Sequence, residues 1–416
     1  MIRSMFSAIS GLRNHQTMMD VVGNNISNVN TTGFKSSTTV FQDVLSQIVR
    51  GGGAAQADLG GTNPAQVGLG SRIAAITTNF GQGALQRTGR ATDLAIQGDG
   101  FFVVQQAGQE LFTRAGSFSI DALGRLVTQE GGFIMGWGAD AAGNVNTNAG
   151  IGALQIPVGD LTSPNPSGRV SIGGNLPADA DDGTIIANSV EIFDEQGNPW
   201  TLSVRFEKTG ADAWSVEIDY FDPDTGELTG TYTAVGTLAF GADGELTSDF
   251  EEQVTSGLPA SFTGDFFLSF GTEGGPNRLT QFGALNTVAI LSQDGSAAGS
   301  LQSFTVSQEG LIVGSYSNGR TKAIGQIALA SFANPEGLEK VGGSNYRATM
   351  NSGLAQLGTA GAGGRGLMST GTLEMSNVDL AQEFTNLIVA QRGFQANSRV
   401  VTTSDELLQE VVNLKR

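Results

Sequence analysis

Three groups of residues have types or spacings that are associated with binding chemistry. Gly361, Gly363 and Gly366 spell GxGxxG, a spacing that lets a backbone approach phosphate groups in nucleotide-binding folds. The preceding residues 356–359 do not form a clear hydrophobic strand, and no strand–helix–strand pattern surrounds the glycines. We therefore interpret this segment as a flexible linker.

The other two groups are acidic clusters that could bind calcium. Asp222, Asp224 and Glu227 have part of the spacing of a calcium-binding loop. Pro223 and the lack of a distal bidentate glutamate break that pattern. The second cluster, Asp179, Asp181 and Asp182, could bind a hard cation only weakly. We interpret both clusters as solvated polar turns.

The inventory of reactive side chains argues against an enzyme. The chain has no cysteine and a single histidine, His15, which excludes thiolate chemistry, histidine-based metal sites and most serine–histidine mechanisms. No particular pair of its 40 acidic residues is marked out for glycoside hydrolysis, and three tryptophans and four tyrosines offer few platforms for stacking sugars. The sequence predicts no catalytic residue, cofactor or metal site.

Each end of the chain carries an apolar stripe with helical spacing. The positions step by four and three residues, which is the heptad pattern of a coiled coil. A narrow stripe needs a partner helix, so we expect the two ends to pair as a coiled-coil-like unit that also drives self-assembly. The alternative is two ordinary surface helices on one globular core. The predicted polymerisation residues are Met5, Ile9, Leu12, Met19, Val22, Ile26, Leu380, Phe384, Leu387, Phe394, Val401, Leu408 and Val412.

No apolar run in the sequence reaches the length of a membrane-spanning helix, which is about 18 residues or more. The apolar core of a signal peptide is also missing after Arg3. We therefore expect no membrane insertion and, if the protein leaves the cytoplasm, export without a cleaved signal peptide.

Charge and composition divide the chain. Residues 146–290 contain 4 basic and 21 acidic side chains, a net charge of −17 out of −18, and this predicts a separate, solvated domain that repels nucleic acid. The 60 glycines favour turn-rich β structure between helical ends. We predict a mixed, mainly β fold with α-helical termini. Its parts are a helical assembly domain with linkers (1–70 and 358–416), a discontinuous β-domain (71–145 and 291–357) and an inserted, outer acidic β-domain (146–290).

The acidic block has the pattern of an antiparallel sandwich or barrel. Residues 189–193, 200–206 and 214–220 are rich in strand-forming residues, and they are separated by turn sequences at 195–199 and 222–226.

Residues 24–35 read NNISNVNTTGFK. Asparagine and threonine side chains compete for backbone hydrogen bonds, so they should end the first helix, and Gly33 can take a positive φ there. A helix C-cap explains the local chemistry but not the full string. The motif residues are Asn24, Asn25, Ser27, Asn28, Asn30, Thr32, Gly33, Phe34 and Lys35.

That string resembles the N-terminal signature of the flagellar rod and hook family of bacterial axial proteins. Further segments that match the family occur in the same order along the chain, and together they cover both ends and the flanking β segments. They are 98–103 (GDGFFV), 112–118 (FTRAGSF), 333–338 (ANPEGL), 376–384 (SNVDLAQEF) and 390–397 (AQRGFQAN).

The resemblance implies a tubular helical polymer. Terminal helices would line its channel, the discontinuous β-domain would form its wall and the inserted domain would face outward. Rod members are generally shorter and lack a large insertion, so the length favours a subunit of the curved, hollow hook. That tube acts as a universal joint, transmitting torque from rod to filament.

The resemblance also implies partners and a location. These are other copies of the chain, the flagellar rod, hook cap and hook–filament junction proteins, the flagellar type III export apparatus, and an extracellular position in the flagellum. Two alternatives stay open: a distal rod protein with an inserted domain, and a secreted monomeric β-rich protein that acts on carbohydrate or binds calcium.

Overall fold

The computed structural model describes residues 2–53, 60–159, 161–221, 232–247, 251–255, 258, 261–262, 264–272, 275 and 277–413. The chain divides into two compact units. Unit 1 consists of Met1–Val158, Phe304–Gly314 and Lys322–Arg416, and unit 2 consists of Gly159–Ser303 and Ser315–Thr321. The three-part division expected from the sequence, with boundaries at residues 70, 145, 290 and 357, stays a prediction.

The described residues form two long helices and many short strands. The helices are α1 Ile2–Ser27 and α2 Leu380–Asn413, and a short 3-10 helix spans Pro335–Gly337. The strands before the second unit are β1 Ser37–Asp43, β2 Ser46–Arg50, β3 Ala65–Gly68, β4 Ser71–Thr78, β5 Leu85–Arg87, β6 Leu94–Gln97, β7 Phe101–Gln106, β8 Gln109–Thr113, β9 Phe118–Ile120, β10 Leu126–Thr128, β11 Phe133–Gly138 and β12 Gly152–Ala153.

The remaining strands follow in chain order. They are β13 Leu161–Thr162, β14 Arg169–Pro177, β15 Ile185–Phe193, β16 Pro199–Gly210, β17 Ala213–Phe221, β18 Thr233–Ala239, β19 Glu251–Val254, β20 Phe266–Ser269, β21 Leu279–Phe282, β22 Ala289–Gln293, β23 Gly299–Val306, β24 Leu311–Tyr316, β25 Thr321–Ile327, β26 Leu329–Ser331, β27 Glu339–Gly342, β28 Asn345–Arg347, β29 Gln356–Gly358, β30 Leu367–Thr370 and β31 Thr372–Glu374.

The two helices pack against each other, as the sequence predicted, and they run antiparallel. Gly11 faces Asn397, and four residues further along α1 His15 faces Gly393. Ten residues further again, the Asn25 side chain reaches Glu383. Positions rise along α1 and fall along α2 by equal steps, so one register holds over the whole contact.

Strands from distant parts of the sequence build the sheet of unit 1. Its central order is β25–β11–β7–β8–β28–β27, with antiparallel pairing throughout. The buried face includes Phe101 and Val103 of β7, Phe112 of β8 and Tyr346 of β28. The GDGFFV segment thus leads into a core strand. No helix of the described chain has the length and apolar character needed to cross a membrane.

Unit 2 has a core between two sheets. One is the antiparallel meander β15–β16–β17–β18, and the other has the order β19–β20–β14–β21 with β22 also paired to β14. The three strand segments predicted at 189–193, 200–206 and 214–220 lie in β15, β16 and β17. The predicted turn at 195–199 connects the first two of these, and the Asp194 carboxylate accepts the N–H groups of Gln196 and Asn198. The acidic turn at 222–227 lies outside the described residues.

The second sheet of unit 2 differs from the antiparallel arrangement that the sequence pattern predicted. Strand β14 pairs in parallel with both β20 and β21, and antiparallel with β22. Alternating residues show that a strand has a buried face, but they carry no information on the direction of a partner about 100 residues away. The pattern therefore predicted the layers and missed the direction of two pairings.

Residues 360–366, interpreted above as a flexible linker, form a turn between β29 and β30. The Arg365 Nε donates to the Thr359 carbonyl at 3.0 Å, and the Gly366 N–H donates to the Asp99 carbonyl at 2.6 Å. The described residues contain no group of three or more His, Asp or Glu side chains that could hold a metal ion.

Candidate assembly site

The contact between α1 and α2 is made by small and polar residues. A Cβ atom placed on Gly11 would lie 2.8 Å from Asn397 Nδ2, and one placed on Gly393 would overlap the His15 ring. Ala8 of α1 and Ala390 of α2 are both buried. The helices therefore approach more closely than larger side chains would permit, and we call this contact the small-residue seam.

The large apolar residues predicted to form the polymerisation stripe occupy different environments. On α1, Val22 is buried and the other five are partly buried. On α2, Phe384 is 50% and Val412 68% exposed. Among the remaining α2 positions, those partly buried are Leu387, Val401 and Leu408, and those exposed are Leu380 and Phe394.

The small-residue seam is thus offset from the predicted apolar stripe on α2. Stepping by four and three residues identifies a helical face but does not identify which of two faces meets α1, because α2 has apolar residues on several sides. Small residues at the same spacing, such as Ala390, Gly393 and Ser404, were the signal for the intramolecular face. The role of the larger residues in polymerisation stays a prediction.

At one end of the helix pair, Asn25 connects three elements. Its Nδ2 donates to the Ser37 carbonyl at 2.8 Å and to Glu383 Oε1 at 3.2 Å, and its Oδ1 accepts the Ser37 N–H at 3.0 Å. Glu383 Oε2 is buried and has no hydrogen-bond partner among the described residues. Burial raises the pKa of the Glu383 carboxyl, the nearby Asp379 charge raises it further, and the Asn25 hydrogen bond opposes both.

A buried charge cluster lies where the motif meets the C-terminal segment. The side chain of Lys35 is fully buried, and its Nζ donates to Glu374 Oε1 at 2.6 Å and to the Gly81 carbonyl at 2.8 Å. Arg114 Nη1 lies 3.5 Å from Glu374 Oε2, and the Gly83 N–H donates to Glu374 Oε1 at 2.9 Å. We call Lys35, Arg114 and Glu374 the charge clasp.

The electrostatics of the charge clasp follow from its burial. Desolvation lowers the pKa of Lys35, and the Glu374 carboxylate partly offsets that effect. Burial likewise lowers the pKa of Arg114, again against the pull of Glu374. One carboxylate therefore serves two buried cations, so Glu374 is the residue on which the cluster depends most.

Gly33 lies two residues before Lys35 and contacts the segment that carries Glu374. Its φ is +68°, and its N–H donates to the Glu374 carbonyl at 2.8 Å. A Cβ atom at this position would overlap the backbone of Ala115. The predicted positive φ is confirmed, and the close contact adds a second reason why glycine is needed there.

The other motif residues have local or surface roles. Ser27 Oγ and Asn28 Nδ2 both donate to the Asn24 carbonyl and so cap the end of α1. Lys340 Nζ lies 5.1 Å from the centre of the Phe34 ring. Asn24 and Asn30 are exposed, and Thr32 is partly buried. The motif thus has a buried part, which holds unit 1 together, and a part that faces a surface cleft.

Sequence reasoning missed the residues that complete these contacts. Glu374 lies two residues before a matching family segment, and Arg114 lies inside another without a predicted role. The pairing of Lys35 with Glu374 spans 339 residues, so no local periodicity could reveal it.

The fold, the motif segments and the family models together define a flagellar axial protein of the rod and hook class. Four family models match the chain. They are "Flagella basal body rod protein" at residues 5–35, "Flagellar hook protein FlgE/F/G D1 domain" at 95–186, "Flagellar basal body protein FlaE D2 domain" at 168–296 and "Flagellar basal body rod FlgEFG protein C-terminal" at 369–414.

Within that class, the chain matches several hook proteins over nearly their full length. The chain is 40% identical to the flagellar hook protein FlgE of Borreliella burgdorferi, and the match covers 100% of both chains. It is 35% identical to the hook protein FlgE of Escherichia coli over 98% of this chain and 99% of the relative. The chain therefore belongs to the flagellar hook protein family.

A solved structure agrees with the fold. The crystal structure of the Helicobacter pylori flagellar hook protein FlgE2 matches 70% of this chain and 100% of its own, with a TM-score of 0.55 and 16% sequence identity.

Proposed function

We propose that the chain is the repeating subunit of the bacterial flagellar hook and assembles into a curved, hollow tube that transmits torque from rod to filament. The single observation that carries the proposal is similarity to hook proteins over the full length of both chains, at 40% identity. It is a structural role, and we propose that the protein is not an enzyme.

The terminal helices would make the contacts between copies. The small-residue seam holds α1 against α2, while Leu380, Phe384 and Phe394 remain exposed on α2. Exposed apolar side chains on a helix that is already paired are available to a neighbouring subunit. We propose that they pack between copies, so that each helix has one face for its own chain and one for the polymer.

Other partners follow from a position between rod and filament. We propose contacts with the flagellar rod, the hook cap and the hook–filament junction proteins, export by the flagellar type III apparatus without a cleaved signal peptide, and an extracellular location in the hook. The absence of cysteine from the chain fits transport of an unfolded polypeptide that must not form disulfides on the way. No interaction with nucleic acid or insertion into a membrane is proposed.

Electron microscopy of the concentrated, purified chain tests this function. The unmodified chain should form curved hollow tubes. The Phe384→Asp variant should remain a folded monomer, because the aspartate would place a charge in an apolar contact between copies. Asp405→Asn, an exposed change on the same helix, is the control and should assemble. Normal tubes from the Phe384→Asp variant would contradict the proposed role of this surface.

A distal rod subunit is the second candidate function, and similarity to a rod protein supports it. The chain is 33% identical to the flagellar basal-body rod protein FlgG of Bacillus subtilis over the whole of both chains. Straight, rigid tubes in the same micrographs would support the rod function instead. Family membership gives no support to the monomeric carbohydrate-active or calcium-binding alternative.

A further inference from the structure

A cleft of about 380 Å³ lies in unit 1 beside the charge clasp. One wall is the end of α1 and the turn after it, including Asn24, Asn28 and Thr32. The cleft is also lined by Glu130, by the basic residue Lys340 and by the tight turn between β27 and β28 around Gly343. The exposed part of the motif therefore faces this cleft.

Hydrogen bonds within the chain fix the walls in advance. Thr113 Oγ1 donates to the Ser344 carbonyl at 2.9 Å, and Gln129 Nε2 donates to Ser117 Oγ at 3.0 Å. Ser344 has a φ of +61°, a conformation that non-glycine residues seldom adopt. A rigid cleft costs little conformational entropy when it is filled.

The carboxylate of Glu130 has capacity for a further partner. Its Oε2 accepts one hydrogen bond from Asn345 Nδ2 at 3.1 Å, and its Oε1 lies against Gly343. No ion pair within the described part of the chain includes Glu130, and the residue is exposed. A carboxylate can accept about four hydrogen bonds, so this acidic group could bind an arginine or lysine from outside.

The same chain supplies complementary charge. Arg3, Arg13, Arg392 and Arg399 are exposed on the paired helices, and none forms an ion pair with another described residue. In a polymer of identical subunits, such groups are present at high local concentration around every cleft. The cleft also adjoins the end of α1 and is thus continuous with the helix pair proposed for assembly.

From these observations we propose that the cleft is a docking site for a second copy of this chain, in which Glu130 binds a basic side chain of the neighbour and the exposed Asn24 amide binds its backbone. The inference rests on the proposed polymeric function and assigns a role to a motif residue on the surface of the subunit.

The test measures the critical concentration for tube formation in a sedimentation assay of the full-length chain. It compares variants with charge changes inside the cleft with a variant that has the same change outside it. Glu130→Arg should raise that concentration about tenfold or more, and Glu130→Gln several-fold, with the Glu130→Gln difference from the unmodified chain shrinking as salt is added. Glu110→Arg makes the same change at an exposed position of β8 that does not line the cleft, and it should shift the value less than about twofold.

A second cleft variant guards against a local folding defect. Thr32→Arg changes a residue that lines the cleft and leaves the Glu130–Asn345 and Gln129–Ser117 hydrogen bonds in place. It should also impair assembly, while circular dichroism melting stays within a few degrees of the unmodified chain. If the unmodified chain forms tubes and both arginine variants in the cleft assemble at its critical concentration, the docking proposal is wrong. If the unmodified chain forms no tubes, the proposed hook function fails instead.

Discussion

The terminal helix pair and the core of unit 2 are stabilised in opposite ways. Unit 2 buries large apolar side chains completely between two sheets, among them Leu202, Phe206 and Trp214. Apart from Val22, the buried residues of the helix pair are small or polar, and large apolar residues such as Phe384 are half-exposed. The burial of apolar area is the main source of folding free energy. Unit 2 can therefore be stable by itself, whereas the helix pair would gain most of its apolar burial in the polymer that we propose.

The largest expected effect is at the charge clasp. Glu374→Ala should lower the free energy of unfolding of unit 1 by about 3–5 kcal/mol, because it leaves Lys35 buried without its ion-pair partner and Arg114 with only the charge of Asp99 nearby. Chemical denaturation followed by far-UV circular dichroism measures this loss. Exposed Glu336→Ala is the control and should change the same quantity by less than about 0.5 kcal/mol. A small loss for Glu374→Ala would mean that the clasp is open to water in solution.

A cavity in unit 2 should be costly without affecting assembly contacts. Leu202→Ala should lower the free energy of unfolding of this unit by about 3 kcal/mol, because the buried side chain is removed from a packed core. Urea denaturation reports the loss through the fluorescence of buried Trp214. Where the unit stays folded, tubes should still form at the usual critical concentration. If the variant forms no tubes at temperatures where unit 2 is folded, assembly by the helix pair depends on the packing of the core of unit 2.

Widening the small-residue seam should have a smaller but more selective effect. Gly393→Val would force the added methyl groups against His15 and should destabilise the helix pair by about 1–3 kcal/mol. Ellipticity at 222 nm during thermal melting measures the change. Gln395→Val adds a similar branched side chain on an exposed position of α2 and serves as the control. Equal melting of both variants would contradict the close packing at Gly393.

The smallest expected effect is a pH dependence from Glu383. The folded-state pKa of this carboxyl is raised, so its ionised form opposes folding, and the helix pair should become more stable as the pH falls from neutral through that pKa. Glu383→Gln removes the charge and should stabilise the pair by about 1 kcal/mol at neutral pH. Helix melting at a series of pH values tests both statements. If the melting temperatures of the variant and the unmodified chain differ by the same amount at every pH, Glu383 is not the cause of the pH dependence.

The features that could be predicted from sequence were those that depend on local periodicity or on a contiguous motif. The helical ends, their pairing, the strands of the acidic block and the positive φ at Gly33 all follow from nearby residues. The partner of Lys35 could not be predicted in this way, because Glu374 lies far along the chain and a single acidic residue forms no sequence pattern. The small-residue seam was missed because large apolar residues dominate any search for a helical face, although Gly11 and Gly393 make the closer contact.

The antiparallel helix pair has a consequence for the order of events during synthesis. All the residues between Ser27 and Leu380 are made after α1 and before α2 begins. Throughout that interval α1 has no intramolecular helix to bind. Closure of the seam is a contact of very high sequence separation, and it can form only after nearly the whole chain has been made. The ribosome delivers every subunit with its first helix unpaired until the last helix has been translated.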